Sequence, residues 1–322
     1  MYDGPRLDRR RLLGLVGLAV TVPILAGCQR PGDNVPRLTA AEVQQLQDRY
    51  ARESFKAMRK RDQALIKTVE AGDLLERDLA AMKLAARLHN PRTTDEFTFP
   101  QSTGHPIAST TDSDQQRLVT VGSYSNTTAP WRNLGLYVRQ GEAGRWLRVF
   151  SGGMYADDVP DFGSEEALSS IAPDSTDFAA VPNTVPSLVA KALQDPDSAD
   201  AKKFGASDVR QRFADDLATE TSKAAAMGTV AREYTPGSLL IAIGINGGYL
   251  ALGSYSFNQT VTASAGKSVF FAPAATEHKT YPDHYRQVVS DWGGMFAAIV
   301  PEAGKLTLVS GEERQTGLEV SR

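Results

Sequence analysis

Apolar residues fall first at helical spacing, then at strand spacing, and the same order returns in the second half of the chain. Val43, Leu46, Tyr50 and Phe55 form a broken stripe with charged residues between them, the pattern of an amphipathic surface helix. Thr39 with Glu42 three residues on predicts its start as a capping box. A second helical stretch is expected over 62–88, interrupted at Gly72 and ended by His89-Asn90-Pro91. Glycine inside a helix costs about 1 kcal/mol against alanine, and the residue before proline leaves helical backbone. The period then drops to two. Strands are predicted at 97–99, 117–124, 134–139 and 146–150, the last two joined by a glycine-bearing turn over 140–144.

Residues 153–182 hold Asp157, Asp158, Asp161, Glu165, Glu166, Pro160, Pro173 and Pro182, and predict an acidic linker with little core of its own. Their carboxylates do not alternate as a calcium-binding EF-hand loop requires. Helices are then expected over 183–193 and over 206–223, where Val209, Phe213 and Leu217 are four residues apart. Strands follow at 238–245, 249–262, 268–271, 285–291, 295–300 and 306–310, with Asn246-Gly247-Gly248 as the first hairpin turn.

Short matches support a duplication. Residues 41–46 resemble 207–212 at a helix start, 142–145 resemble 302–305 at the last hairpin turn, and Ser151-Gly152 resembles Ser310-Gly311. The expected fold is α+β, with two helix-then-antiparallel-meander units at 38–152 and 183–322. That order resembles the cone-shaped fold of nuclear transport factor 2, also used by ketosteroid isomerase. The resemblance implies a concave sheet face able to form a ligand pocket.

The N-terminus carries an address. Arg6, Arg9, Arg10 and Arg11 precede an apolar run from Leu12 to Ala26, which is too short to span a bilayer as a helix and fits a signal-peptide core. The run ends in Leu25-Ala26-Gly27-Cys28, which resembles the lipobox of bacterial lipoproteins. The resemblance implies removal of residues 1–27, lipid modification of Cys28 and a tether over 28–37. Arg9 and Arg10 also resemble a twin-arginine export signal, and an Arg-rich Sec signal remains the other reading. The expected location is the extracytoplasmic face of the cell membrane, held by lipid. Lipobox, tether and two such units resemble uncharacterised cell-envelope lipoproteins of actinobacteria. The excess of arginine over lysine, 24 against 11, suits that source.

Composition narrows the chemistry. A net charge of −3 argues against nucleic acid as a partner. One cysteine excludes an intramolecular disulfide and any multi-cysteine metal site, and four scattered histidines argue against a His-rich one. No Gly-x-Ser-x-Gly elbow, His-Glu-x-x-His helix or P-loop occurs. The densest polar cluster is 277–284, with His284 as a candidate ligand contact. Trp131 and Trp292, near expected strand ends, are the candidate pocket-rim or partner contacts among the aromatics. The expected role is therefore non-enzymatic, with no metal or cofactor: binding of a small apolar ligand, a wall component or a protein partner. An isomerase- or hydrolase-like enzyme in one cone pocket is the alternative. It needs a carboxylate or histidine shielded from water with a raised pKa. A structural or complex-assembly role is the second alternative.

Overall fold

Helix α1 (Ala40–Lys60) starts where the capping box places it: Thr39 accepts from the Glu42 backbone, and the Glu42 carboxylate accepts from the Thr39 N–H at 2.7 Å. Its buried stripe is Val43, Leu46, Tyr50, Ala51, Ser54 and Ala57, so small residues replace the expected Phe55. Asp62 caps the short α2 (Gln63–Ile66). Gly72 opens α3 (Gly72–Arg87) instead of interrupting a longer helix. Its φ of +59° is a left-handed value that favours glycine. The computed structural model describes residues 35, 38–90, 96–108, 114–125, 130–164, 166–272 and 275–322.

The first sheet comprises β1 (Ser102–Ala108), β2 (Gln115–Ser123), β3 (Trp131–Gln140), β4 (Leu147–Tyr155) and β5 (Leu168–Ser169), in the order β4-β3-β2-β1-β5. It is antiparallel except for β5, which runs parallel to β1. Strand β1 was not expected, because Thr-Gly-His-Pro has little strand propensity. Residues 97–99 are not a strand, although Phe99 is buried. The segment expected as an acidic linker begins inside β4, buries Phe162, Leu168 and Ala180, and contributes β5. Its apolar residues are too widely spaced for a periodic signal.

Helices α4 (Val185–Gln194) and α5 (Asp208–Ala224) precede the second sheet, the antiparallel meander β6 (Gly228–Ile245), β7 (Gly248–Ala263), β8 (Gln287–Pro301) and β9 (Thr307–Ser321). Gly247, with φ +76°, makes the predicted turn between β6 and β7. Three strands exceed their expected lengths. β6 begins ten residues earlier, 285–291 and 295–300 merge into β8, and β9 runs on to Ser321. Residues 268–271 contribute only a bridge from Val269 to Tyr285.

The fold is α+β, and the two sheets share one core. Ile107, Val119, Leu134, Leu136, Phe150 and Met154 of the first sheet cluster with Ile241, Ile243, Leu250, Leu252, Met295, Ala297 and Val309 of the second. On its other face the first sheet packs Leu118 and Tyr137 against Val43, Leu46 and Tyr50 of α1. The second packs Tyr249, Tyr255, Phe296 and Leu308 against Val189 of α4 and Phe213 of α5. The layer order is thus α1, first sheet, second sheet, α4 with α5, while α3 packs against β4 and β9 with Leu74 in the shared core. The matched residues meet between the sheets: a Cβ on Gly152 would lie 2.4 Å from Ser310 Oγ. Among the described residues, no helix is long and apolar enough to cross a membrane.

Candidate functional site

The helix-facing side of the second sheet carries a row of rings. Tyr234, Phe257 and Trp292 are register neighbours on β6, β7 and β8. Tyr234 stacks on Phe257 at 4.8 Å, and Phe257 on Trp292 at 5.6 Å with ring planes 5° apart. The Trp292 Nε1 is buried and has no hydrogen-bond partner. In the next row, Tyr255 faces Gly294, which faces Glu313 on β9. A Cβ on Gly294 would lie 2.3 Å from the Tyr255 ring, so glycine is what lets that ring lie across β8. From there the Tyr255 hydroxyl donates to Glu313 Oε1 at 3.0 Å.

Helix α5 covers this row incompletely. It buries only Val209, Phe213 and Ala224. A cavity of about 540 Å³ lies beside it, reaching the β9 edge. Arg212, Asp216 and Glu220 enter from α5, and Arg232, Phe257 and Trp292 from the sheet. Gly311, Glu312, Glu313 and Arg314 of β9, Phe213 of α5 and Arg77 of α3 complete the lining. Most of its cations are paired: Arg232 with Glu220 at 2.9 Å, Arg314 with Asp78 at 3.0 Å, and Arg77 with Asp78 at 3.1 Å. Arg77 Nη1 nevertheless has no partner. Burial pushes the Glu313 carboxyl up to about 7, against the pull of the Tyr255 hydrogen bond and of Arg232 and Arg212. A second cavity, of about 550 Å³, lies between α4 and α5 and is lined mainly by Leu193, Pro196, Phe213, Ala214, Leu217 and Tyr234.

Behind Arg77, a buried polar cluster runs into the first half. Asp78 and Glu70 are 4% and 1% exposed. Tyr50 donates to Glu70 Oε1 at 3.1 Å, and Glu70 Oε2 has no partner. Burial first, and Asp78 second, raise the Glu70 carboxyl to about 8. The folded state therefore holds a proton that the unfolded state releases near 4.5. Stability from this group is present at low pH and is lost as pH rises through about 8. Glu70→Gln is expected to flatten this fall, gaining on the order of 2 kcal/mol over the wild type at pH 8. Urea denaturation at pH 5 and pH 8 checks this, and equal slopes for both proteins would count against it.

Of the candidates chosen from sequence, Trp292 lines the cavity. Trp131 is not part of that lining and stacks on Tyr155 at 4.3 Å. His284 is exposed, bonded through Nδ1 to Ser268 Oγ at 2.8 Å. Leu25, Ala26, Gly27, Cys28, Arg9 and Arg10 lie outside the described residues. The sequence reading missed Glu313 and Arg77. Glu313 lies beyond the strand expected at 306–310, though Leu318 and Val320 alternate farther on and signal a strand. Arg77 follows the pattern of a surface helix and carries no signal. Among the described residues, no group of three or more His, Cys, Asp or Glu is placed to hold a metal.

No curated protein and no solved structure matches the chain. A family model does, and it spans both sheets and the cavity-lining residues from Arg77 to Arg314. With residues 34–317 matched, the chain belongs to the family described as a domain of unknown function, DUF8094.

Proposed function

We propose that the protein is a lipid-anchored extracytoplasmic lipoprotein whose folded body binds a small ligand in the cleft between α5 and the β9 edge. One observation carries the binding reading: a single cavity beside α5 is lined by the stacked Phe257 and Trp292 rings together with Glu313, Asp216 and Arg212. A volume of about 540 Å³ suits a small ligand. The lining is charged and aromatic together, which favours a ligand with hydrogen-bonding groups over a purely apolar one. The anchoring rests on Leu25-Ala26-Gly27-Cys28 behind a short apolar run. The order of helices and then meander in each half supports the cone-fold likeness, and the whole layout supports kinship with envelope lipoproteins of actinobacteria.

Native mass spectrometry of the full chain, gently extracted from membranes, tests the reading. A bound small molecule is expected on the wild type and on Trp131→Ala, and its loss is expected on Trp292→Ala. Equal loading of all three, or none on any, would contradict it.

Glu313 favours a second reading. A carboxyl poised at about 7 within a cleft suits acid–base work, as an isomerase- or hydrolase-like enzyme requires. Recovery of the bound molecule unchanged after incubation supports binding alone. Its conversion by the wild type but not by Glu313→Gln supports the enzyme.

A further inference from the structure

Three cations share one hollow at the β3–β4 hairpin end of the first sheet. Lys67 follows α2, Arg139 ends β3 and Arg145 precedes β4, and all three line a cavity of about 370 Å³ whose lining holds no carboxylate. Among the described residues, none of the three forms an ion pair. Lys67 and Arg145 are exposed and make no hydrogen bond among the described residues. Arg139 is fixed in place: its Nε donates to Gln116 Oε1, and its guanidinium lies 4.8 Å from the centre of the Trp146 ring. Arg49 adds a fourth charge beside the rim, donating to Thr68 O at 2.7 Å. Two exposed carboxylates, Asp114 and Glu142, flank the hairpin but stay out of the lining.

Such a lining selects an anion, and its place in the fold narrows which. The Glu42 carboxyl, in the first turn of α1, is held below its usual value by hydrogen bonds accepted from Thr39 and by the Arg139 charge, so α1 starts at this end of the sheet. Residues 28–37, between Cys28 and the lead into α1, reach about 35 Å even fully extended. A body tethered so closely stays near the headgroups, and this end is tethered closest. The chain's net charge is −3, so an anionic surface turns a cationic patch toward itself and the rest away. We infer that this hollow faces the membrane that holds the chain and takes the phosphodiester headgroup of an anionic phospholipid, with Lys67, Arg139 and Arg145 supplying the charge. This rests on the lipid-anchor reading above and adds the face and the lipid class.

Acetylation footprinting of the cell-made chain, extracted with its lipid and returned to vesicles, tests the assignment. Acetylation of Lys67 is expected to be about fivefold slower in vesicles containing phosphatidylglycerol than in phosphatidylcholine alone. Lys305, exposed on the β8–β9 turn, is expected to react equally in both. Arg145→Glu should remove the protection of Lys67, Glu142→Lys should deepen it, and high salt should weaken it. Both substituted residues are exposed, so the variants keep the fold. Equal Lys67 rates in the two kinds of vesicle, or protection indifferent to both substitutions, overturns the assignment. Equal protection by inorganic phosphate in phosphatidylcholine vesicles also overturns it, since the hollow then holds a free anion and not the membrane. If intact mass shows no lipid on Cys28, the anchor reading fails and the assignment with it. With lipid present and Lys67 unprotected, the assignment falls alone.

Discussion

Arg148→Met is expected to destabilise the protein by about 3 kcal/mol, read as a lower urea midpoint with an unchanged slope. The side chain is fully buried, and among the described residues no carboxylate pairs with it. Acceptors hold it instead. Its Nε donates to Phe150 O at 3.0 Å, Nη2 to Leu134 O at 3.2 Å and to Asn133 Oδ1, and Nη1 to Gln47 Oε1 at 3.4 Å. The guanidinium also lies 4.3 Å from the centre of the Tyr50 ring. Methionine fills much of the volume but donates nothing, so several buried acceptors lose their partner at about 1–3 kcal/mol each. Relief from burying a charge offsets part of this. Gly135→Ala presses on the same group, since its new Cβ would lie 2.5 Å from Arg148 Nη2. It should destabilise in the same direction. A midpoint for Arg148→Met within 1 kcal/mol of wild type would remove Arg148 from its place as the organiser of the α1–sheet interface.

Cys28→Ser is expected to move the protein from the membrane fraction to the soluble fraction, or to leave it as uncleaved precursor. The cysteine is the chain's only thiol and the proposed site of lipid attachment. Each buried methylene of an acyl chain contributes about 0.8 kcal/mol, so two chains hold a protein where one is marginal. Serine offers no thiolate to the lipid donor. Fractionation followed by intact-mass measurement reads both outcomes. A variant that is cut and retained like the wild type would contradict the anchor.

Local order was legible wherever one chemical signal decided it. The Thr39–Glu42 box, the glycine-bearing hairpin turns and the four-residue spacing in α5 all fall where their residues place them. The helix-then-meander order was legible too. Hidden were features set by contacts between distant elements. β8 looked broken at Trp292-Gly293-Gly294. Its glycines in fact keep the strand continuous while making room for Arg77 and Tyr255: a Cβ on Gly293 would lie 2.9 Å from Arg77 Cγ. The middle of β9 carried no strand signal because its charged residues meet partners on both sheet faces, with Arg314 reaching Asp78 and Glu313 reaching Tyr255. The stacking of the two sheets on one core could not be read from either alone, since alternation reports that a face is buried and not what buries it. Of the candidate site, the ring row was legible as aromatics on strands. Its focus at Trp292 was legible only as one of two tryptophans.

A ligand held in the proposed cleft lies against the Trp292 ring. The chain has three tryptophans, so its indole N–H region in a nitrogen–proton correlation spectrum holds three signals, assignable by single replacement with phenylalanine. Adding the molecule recovered from the native protein is expected to shift the Trp292 signal and leave those of Trp131 and Trp146 in place. An unmoved Trp292 signal at saturation would contradict the account.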